Sequence, residues 1–479
     1  MNGPLKRLLL STVLLPIFSY GVAQGQTIDD TLATAYVQST QLEAQRAQLR
    51  ATDEQVPQAL SNWRPTVALN GNVTRTHTGY RPENFDHQQT SLFGGSANSN
   101  GYNTDKSVGV QVVQNIYRGG RTVAQTSQAT NTVKAGQAQL DAAEQSVLFA
   151  AAQSYLDVVR DQSTVDLTAN NESVLKRQFD AETDRFRVGE VTRTDVALSQ
   201  SSYQQAKAQH TTAVGSLASD RAAFQRVVGQ APGKLAQPVF KYRLPDSLED
   251  AVAEAETNNP AVKAAEFVER AARDGIDLAE GARLPTVQVV GTYSRLYPGP
   301  NGSYSSLNAA AGSKGGVVHV DTGSVAVEMN WPIYTGGSAS SQVRQAKQTA
   351  NQYLIAIEDA KRVARQTAIS AWQQLMASRA NIEALTAQVN AAEIGAEGTR
   401  QQALVGTSTV LDSLTAEQNL LQAQVNLVTA QHDALLISFQ LLAAVGRLNA
   451  RDLSLNVSIY DPQVNQDEVA DKWFGTGIH

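Results

Sequence analysis

Proline is missing from two long stretches of this chain, between Pro82 and Pro232 and again between Pro332 and Pro462. An interior proline removes a helical hydrogen bond and clashes with the preceding turn, so such stretches leave room for uninterrupted helices. Apolar residues recur in them at helical spacing, as in Val147, Ala151, Tyr155, Val158 and Val159, and in Ile382, Leu385, Val389 and Ala392. Each territory is cut once, at Arg187-Val188-Gly189-Glu190 and at Leu404-Val405-Gly406-Thr407. A lone glycine there suits a helix C-cap and a tight turn. The spacing predicts a long and a shorter helix in each half, over about 120–187 and 193–228, then 337–404 and 409–445. At 1.5 Å per residue these extend roughly 100 Å and roughly 50 Å. Helices of that length require coiled-coil packing.

The same signals show a chain written twice. Ile116-Tyr117-Arg118-Gly119-Gly120 returns 217 residues later as Ile333-Tyr334-Thr335-Gly336-Gly337. At the same offset Val188-Gly189 with Asp195 returns as Val405-Gly406 with Asp412, and Val228-Gly229 as Val445-Gly446. Arg64-Pro65-Thr66-Val67 has its counterpart in Leu284-Pro285-Thr286-Val287. Self-similarity of this kind marks a duplicated structural unit. The two repeats run over 24–244 and 245–460, and a polar tail over 461–479 reads as disordered.

Ahead of each long helix lie two strand-like segments, 66–77 and 107–116, then 286–297 and 324–333. Alternation is clearest in Val108, Val110 and Val112 and in Val325, Val327, Met329 and Trp331. Segments of about ten residues cross an outer membrane when tilted. The connections over 78–106 and 298–322 are rich in Gly, Ser and Asn and read as exposed loops. Trp63, Tyr117, Trp331 and Tyr334 fall at the helix-side ends of the strands, where interface aromatics lie in a membrane barrel. Four strands cannot close such a barrel, since the smallest use about 8. An open edge facing lipid leaves backbone groups unpaired, so spanning a membrane requires oligomerisation.

Composition narrows the function. Lys6 and Arg7 precede an apolar run from Leu8 to Phe18, and Gly21-Val22-Ala23 completes a secretory signal over 1–23, cleaved after Ala23. Beyond it no charge-free stretch approaches membrane-spanning length, so no helical span is expected. The chain has no cysteine, which removes disulfides, thiolate nucleophiles and metal sites, and a lipid-modified cysteine. A formal charge of −6 argues against a nucleic-acid partner. No Gly-x-Ser-x-Gly, P-loop or dinucleotide fingerprint is present, and the six histidines show no paired ligand spacing. No enzyme activity, cofactor or metal is therefore expected. His77, His87 and His319 belong in or near the outer loops, and Asp180, Glu182, Asp184 and Arg185 read as a solvated helix face.

In its duplicated strand-strand-long-helix order, its Tyr-x-Gly-Gly helix entrances and its paired tips, the chain resembles the TolC family of outer-membrane efflux proteins over nearly its full mature length. The tips read Phe186-Arg187-Val188-Gly189-Glu190-Val191-Thr192-Arg193-Thr194-Asp195 and Ala403-Leu404-Val405-Gly406-Thr407-Ser408-Thr409-Val410-Leu411-Asp412. The resemblance implies an α+β membrane protein in the cell outer membrane: a homotrimer with one 12-stranded β-barrel, continued across the periplasm by an α-helical coiled-coil barrel. It implies a periplasmic adaptor and an inner-membrane RND or ABC transporter as partners, with outer-membrane lipid around the barrel. Such a channel is the exit duct of an efflux pump or a type I secretion system.

The resemblance also assigns residues. Asp412 matches the first of two aspartates that ring the periplasmic aperture, and Thr415 stands where the second would be. Thr194 and Asp195 match residues that tie the tips together, but their tyrosine and arginine partners are replaced here by Ala403 and Ser408. Arg193 is the cation available to take that place, pairing with Asp412 or Asp195. Val188, Gly189, Val405 and Gly406 match the adaptor-contacting tip segments. From the residues alone, an aspartate near a helix N-terminus is also what the helix dipole favours, and Val-Gly is also a plain turn. A periplasmic coiled-coil scaffold is the rival reading. It explains the helices but not the strand pairs.

Overall fold

The computed structural model describes residues 25–79, 100–299 and 319–477. The expected signal segment, His87 and most of the two outer connections lie outside them. Each half begins with helices that the spacing did not announce: α1 (Ile28–Gln38), α2 (Thr40–Asp53) and α3 (Gln55–Leu60) precede the first strand pair. That pair is β1 (Thr66–Gly79) and β2 (Asn100–Arg118), followed by α4 (Arg121–Arg187) and α5 (Arg193–Val228). The second half runs α6 (Leu248–Asn258), α7 (Pro260–Gly281), β3 (Thr286–Tyr297), β4 (Val320–Asn330), α8 (Ser338–Leu404) and α9 (Val410–Ala444), and α10 (Pro462–Ala470) closes the chain.

Three expectations are corrected. Strand β2 starts at Asn100 and β4 at Val320, so part of each connection read as loop is sheet. Strand β4 ends at Asn330, which leaves Trp331, Ile333 and Tyr334 outside it because Pro332 lacks a ladder donor. The tail is not structureless. Asp461 caps α10 by accepting from the Gln463 amide at 2.9 Å, with Pro462 in the first turn. A capping side chain with proline behind it is a helix-start signal.

Burial along the long helices repeats every seven residues. In α4 the buried positions include Val133, Leu140, Val147, Ser154, Asp161, Thr168, Leu175 and Glu182, and in α8 Val343, Ala350, Ile357, Ala364 and Ala371. A seven-residue repeat is the left-handed coiled-coil period. Many contact positions are alanine, which lets helix backbones approach closely. Helix α9 has the length and overall apolar composition of a membrane-crossing helix, but Asp412, Glu417 and Asp433 interrupt it. Its Leu414, Leu421, Phe439, Leu441 and Leu442 are buried within the protein.

The described residues form two compact units that cut across the sequence halves. One takes residues up to 40, 144–248 and 369–459. Its centre is Tyr155, fully buried, whose hydroxyl donates to the Gln26 carbonyl at 3.0 Å and the Ala236 carbonyl at 2.7 Å. In the same unit Phe240, Tyr242 and Phe439 pack edge-on against one another, with ring centroids 5.4–5.7 Å apart.

The other unit takes 41–143, 249–368 and 460–479. It holds one antiparallel sheet in the order β1-β2-β3-β4. Helix α10 docks in this unit: Asn465 Nδ2 donates to the buried Asp53 at 2.7 Å, and Val469 is buried. Strand β2 turns into α4 through Gly119 and Gly120, both with positive φ. A Cβ on Gly119 would collide with the Gly281 carbonyl oxygen and lie 2.9 Å from Leu284 Cβ. Its repeat counterpart Gly336 has the same left-handed φ of 65° but open space around it.

These two glycines separate local strain from crowding. Gly336→Ala is expected to cost only left-handed strain, roughly 1–2 kcal/mol. Gly119→Ala adds a backbone collision and is expected to destabilise clearly more, read as the yield of folded protein and its thermal midpoint.

Candidate functional site: helix tips and a two-faced sheet

Both helix pairs turn in the same way. The Gly189 amide donates to the Phe186 carbonyl at 3.0 Å and the Glu190 amide to the Arg185 carbonyl at 2.9 Å. In the second pair, Gly406 reaches Ala403 at 3.3 Å and Thr407 reaches Gln402 at 2.9 Å. This is the Schellman pattern, which needs a left-handed residue at glycine, and φ is 85° at Gly189 and 78° at Gly406. A Cβ on either glycine would meet nothing within 4 Å. Beside them Val188 is 72% and Val405 74% exposed, and Phe186, Leu404 and Leu411 are exposed too. Five apolar side chains thus stand in water around two tight turns.

The following helices open with matching capping boxes. Asp195 Oδ2 accepts from the Thr192 amide at 3.0 Å and its hydroxyl at 2.7 Å, while the Asp195 amide donates back to Thr192 Oγ1 at 3.2 Å. Asp412 Oδ2 accepts from the Thr409 amide at 3.0 Å, the Thr409 hydroxyl at 2.6 Å and the Ser408 hydroxyl at 3.2 Å. These bonds favour the charged form. The Thr192 hydroxyl and amide, aided by Arg185, hold Asp195 below the usual carboxylate range, and Thr409 and Ser408 do so for Asp412.

The polar residues at the tips make local bonds. Thr415 donates back to the Leu411 carbonyl at 2.8 Å. Thr194 and Arg193 are exposed, and among the described residues Arg193 pairs with neither Asp195 nor Asp412 within the chain. Arg185 is the engaged cation, at 3.3 Å from both Glu182 and Glu190. Glu182 is buried, unlike the solvated face expected for it. What joins the tips is apolar: Leu175, Ala206 and Leu414 form a buried cluster with Leu198, Tyr203 and Val410 against it. Phe179 stacks on Tyr203 at 6.2 Å.

A second polar centre was not read from sequence. Arg160 lies 2.9 Å from Asp157, 2.8 Å from Asp161 and 3.1 Å from Asp220, and the buried His432 sits 2.9 Å from both Asp157 and Asp433. Burial alone would lower the His432 pKa, but its contacts with Asp157 and Asp433 outweigh this and raise it. The Asp157-Arg160-Asp161 spacing was the available signal, indistinguishable from an exposed charge pattern until α5 and α9 close over it.

The sheet has two unlike faces. Directly paired residues share a face, and the register pairs Val67 with Val112, Leu69 with Val110, Val110 with Tyr293, Val287 with Met329 and Val289 with Val327. Residues one step away are mostly polar: Gln111 pairs with Thr292, Gln288 donates to Glu328 at 2.9 Å, and Thr292 meets Ser324 at 2.7 Å. Among the described residues, strands β1 and β4 each have one neighbour. Trp63, Tyr117, Trp331 and Tyr334 are all exposed. They gather at the end of the sheet where Arg118 pairs with Thr286 and Thr286 with Asn330.

Two outcomes follow from this geometry. Val110→Lys, on the apolar face, is expected to cost about 2–4 kcal/mol of insertion, while Gln111→Lys on the opposite face is tolerated, read by folding into lipid vesicles. At the tips, folded pKa values lie below the unfolded ones, so the capping contribution is present at neutral pH. It is lost as pH falls from about 3.9 through the lower folded values. Amide exchange in the first turns of α5 and α9, corrected for intrinsic rates, should accelerate only in that acid window.

Comparison with known proteins places this geometry. The outer membrane efflux protein family matches residues 31–230 and 251–447. The outer membrane efflux protein BepC of Brucella suis biovar 1 is 33% identical over 98% of this chain and 96% of its own length. The outer membrane protein TolC of Escherichia coli K12 is 26% identical over 97% of this chain and 92% of its own. Among solved structures, the Campylobacter jejuni CmeC outer membrane channel superposes with a TM-score of 0.74 at 14% identity, covering 98% of both chains. The family match falls twice, once on each repeat, and the chain belongs to the outer membrane efflux protein family, with a TolC-like fold.

Proposed function

We propose that this chain is the outer-membrane exit duct of a tripartite efflux pump or a type I secretion system, and that it performs no catalysis. Its copies join β1 of one to β4 of the next, closing a barrel whose apolar face meets lipid and whose polar face lines water. The sheet carries this reading: four strands, apolar on one side, polar on the other, with two unpaired edges. A homotrimer, with twelve strands, is the assembly the TolC resemblance implies. Because family members work with efflux or secretion machinery, substrates are proposed to arrive from an inner-membrane RND or ABC transporter through a periplasmic adaptor. Exposed Val188 and Val405, beside the turn glycines Gly189 and Gly406, support the tips as the adaptor's docking points.

Asp412 is proposed as the aperture carboxylate, with Thr415, Thr194, Asp195 and Arg193 around it. Its cap leaves the carboxylate exposed and ionised, so several copies around one mouth would attract cations and repel anions. Arg193, which pairs with no carboxylate among the described residues, is left to meet one of a neighbouring copy.

Single-channel conductance in planar bilayers tests both levels. Discrete cation-preferring steps, with selectivity weakened in Asp412→Asn, are the expected result. Steps indifferent to Asp412→Asn would keep the duct and move selectivity elsewhere. A well-folded oligomer that never inserts would favour a periplasmic scaffold.

A further inference from the structure

The C-terminal segment returns to the root of the sheet, where Arg64 engages Ala470, Lys472 and Trp473. Arg64, two residues before β1, donates from Nη1 to the Lys472 carbonyl at 2.9 Å and from Nη2 to the Ala470 carbonyl at 3.5 Å. The Ala470 carbonyl is the last of α10, an acceptor that a helix end leaves open, and Lys472 lies two residues beyond it. The same guanidinium lies 4.6 Å from the centre of the Trp473 ring, within cation–π range. Docking of α10 through Asn465 and Val469 fixes the approach of this segment. Yet Trp473 is 60% and Phe474 88% exposed. Trp473 is thus held in an exposed position, with the exposed Phe474 on one side of it in the chain and Lys472 on the other.

Their place in the fold names what covers them. Arg64 adjoins the start of β1, at the end of the sheet where Trp63, Tyr117, Trp331 and Tyr334 are also exposed. The apolar sheet face starts just beyond, at Val67, Val112, Val287 and Met329. A tryptophan and a phenylalanine beside lysine and arginine, continuous with a lipid-facing surface, have the composition of a membrane-interface anchor. Indole and phenyl rings settle among headgroups and upper acyl chains, and cationic side chains face phosphates.

We propose that Trp473 and Phe474 insert into the periplasm-facing leaflet of the outer membrane, as an anchor at the base of the barrel positioned by Arg64. The inference rests on the membrane-spanning reading of the sheet. It extends the interface belt to a segment separated in sequence from every strand, and gives the tail a task besides packing.

The four tryptophans are Trp63, Trp331, Trp372 and Trp473. Replacing the other three by phenylalanine leaves Trp473 as sole emitter, and a matching protein retains Trp331 alone. Both full-length proteins are folded into phosphatidylethanolamine–phosphatidylglycerol vesicles containing lipids brominated high on the acyl chain. The expected result is that Trp473 emission is largely lost to bromolipid and protected from aqueous iodide. Quenching by iodide and not by bromolipid, while the Trp331 protein is quenched by bromolipid, would overturn the anchor and keep the barrel. Protection from both quenchers would mean that another copy of the chain covers Trp473, which also overturns it. Bromolipid silence in the Trp331 protein would instead sink the membrane-spanning reading. As a second readout, Arg64→Gln should restore part of the Trp473 emission in bromolipid, because the ring is no longer held at the sheet root. Unchanged quenching in that variant would remove Arg64 from the anchor.

Discussion

The unpaired edges of β1 and β4 set the terms for everything else in this protein. A strand edge carries a row of N–H and C=O groups that water can satisfy and hydrocarbon cannot. The sheet nevertheless has a face of valine, leucine and tyrosine suited to hydrocarbon, so it belongs in lipid only when its edges are closed by further copies. A duct is the natural product of that closure: a polar inner face, an apolar outer face, and helices leading away from the strands at Gly119-Gly120 and at Gly336-Gly337.

The helices answer a second constraint. A helix of 67 residues buries its apolar stripe only against neighbours, and the seven-residue recurrence of buried positions in α4 and α8 is how this is met. Along α4 the recurrence passes from Val133, Leu140 and Val147 to Ser154, Asp161 and Thr168 before returning to Leu175. The polar interval is where Arg160 gathers three carboxylates and His432 is enclosed. At the tips an apolar cluster around Tyr203 and Leu414 joins the helix pairs within the chain. Asp195 and Asp412 serve first as caps, and that same bonding keeps them ionised.

Much of the fold was legible because it is written in strong, redundant signals. Long proline-free stretches, a shared offset and alternating valines leave few alternatives for the order of elements, and the TolC-like fold is what the resemblance they carry implies. Helices α1 to α3, α6 and α10 have 6–14 residues and weigh little beside proline and glycine punctuation, whereas the 22-residue α7 carries its own start signal in Asn259-Pro260. Asp461-Pro462 was an available start signal for α10, outweighed by the polar composition of the tail. For the site, an aspartate near each helix N-terminus was legible as one that the helix dipole favours. The Thr-x-x-Asp spacing was the further signal available for the capping boxes. Neither the missing contact of Arg193 within the chain nor the apolar join between the tips is written in spacing.

The sequence by itself determined the duplicated order of elements, the turns at Gly189 and Gly406, and the two-faced character of the strands. Each is local: period, cap and left-handed glycine act within a few residues. Only the tertiary structure decided how duplicated residues diverge. Gly119 and Gly336 share a motif and a backbone conformation, yet one lies against the Gly281 carbonyl and the other is open. Trp473 is distant in sequence from every strand, yet Arg64 holds it at the sheet's root. Contacts between residues hundreds of positions apart depend on how helices dock, and packing of that kind leaves no periodic trace in the chain.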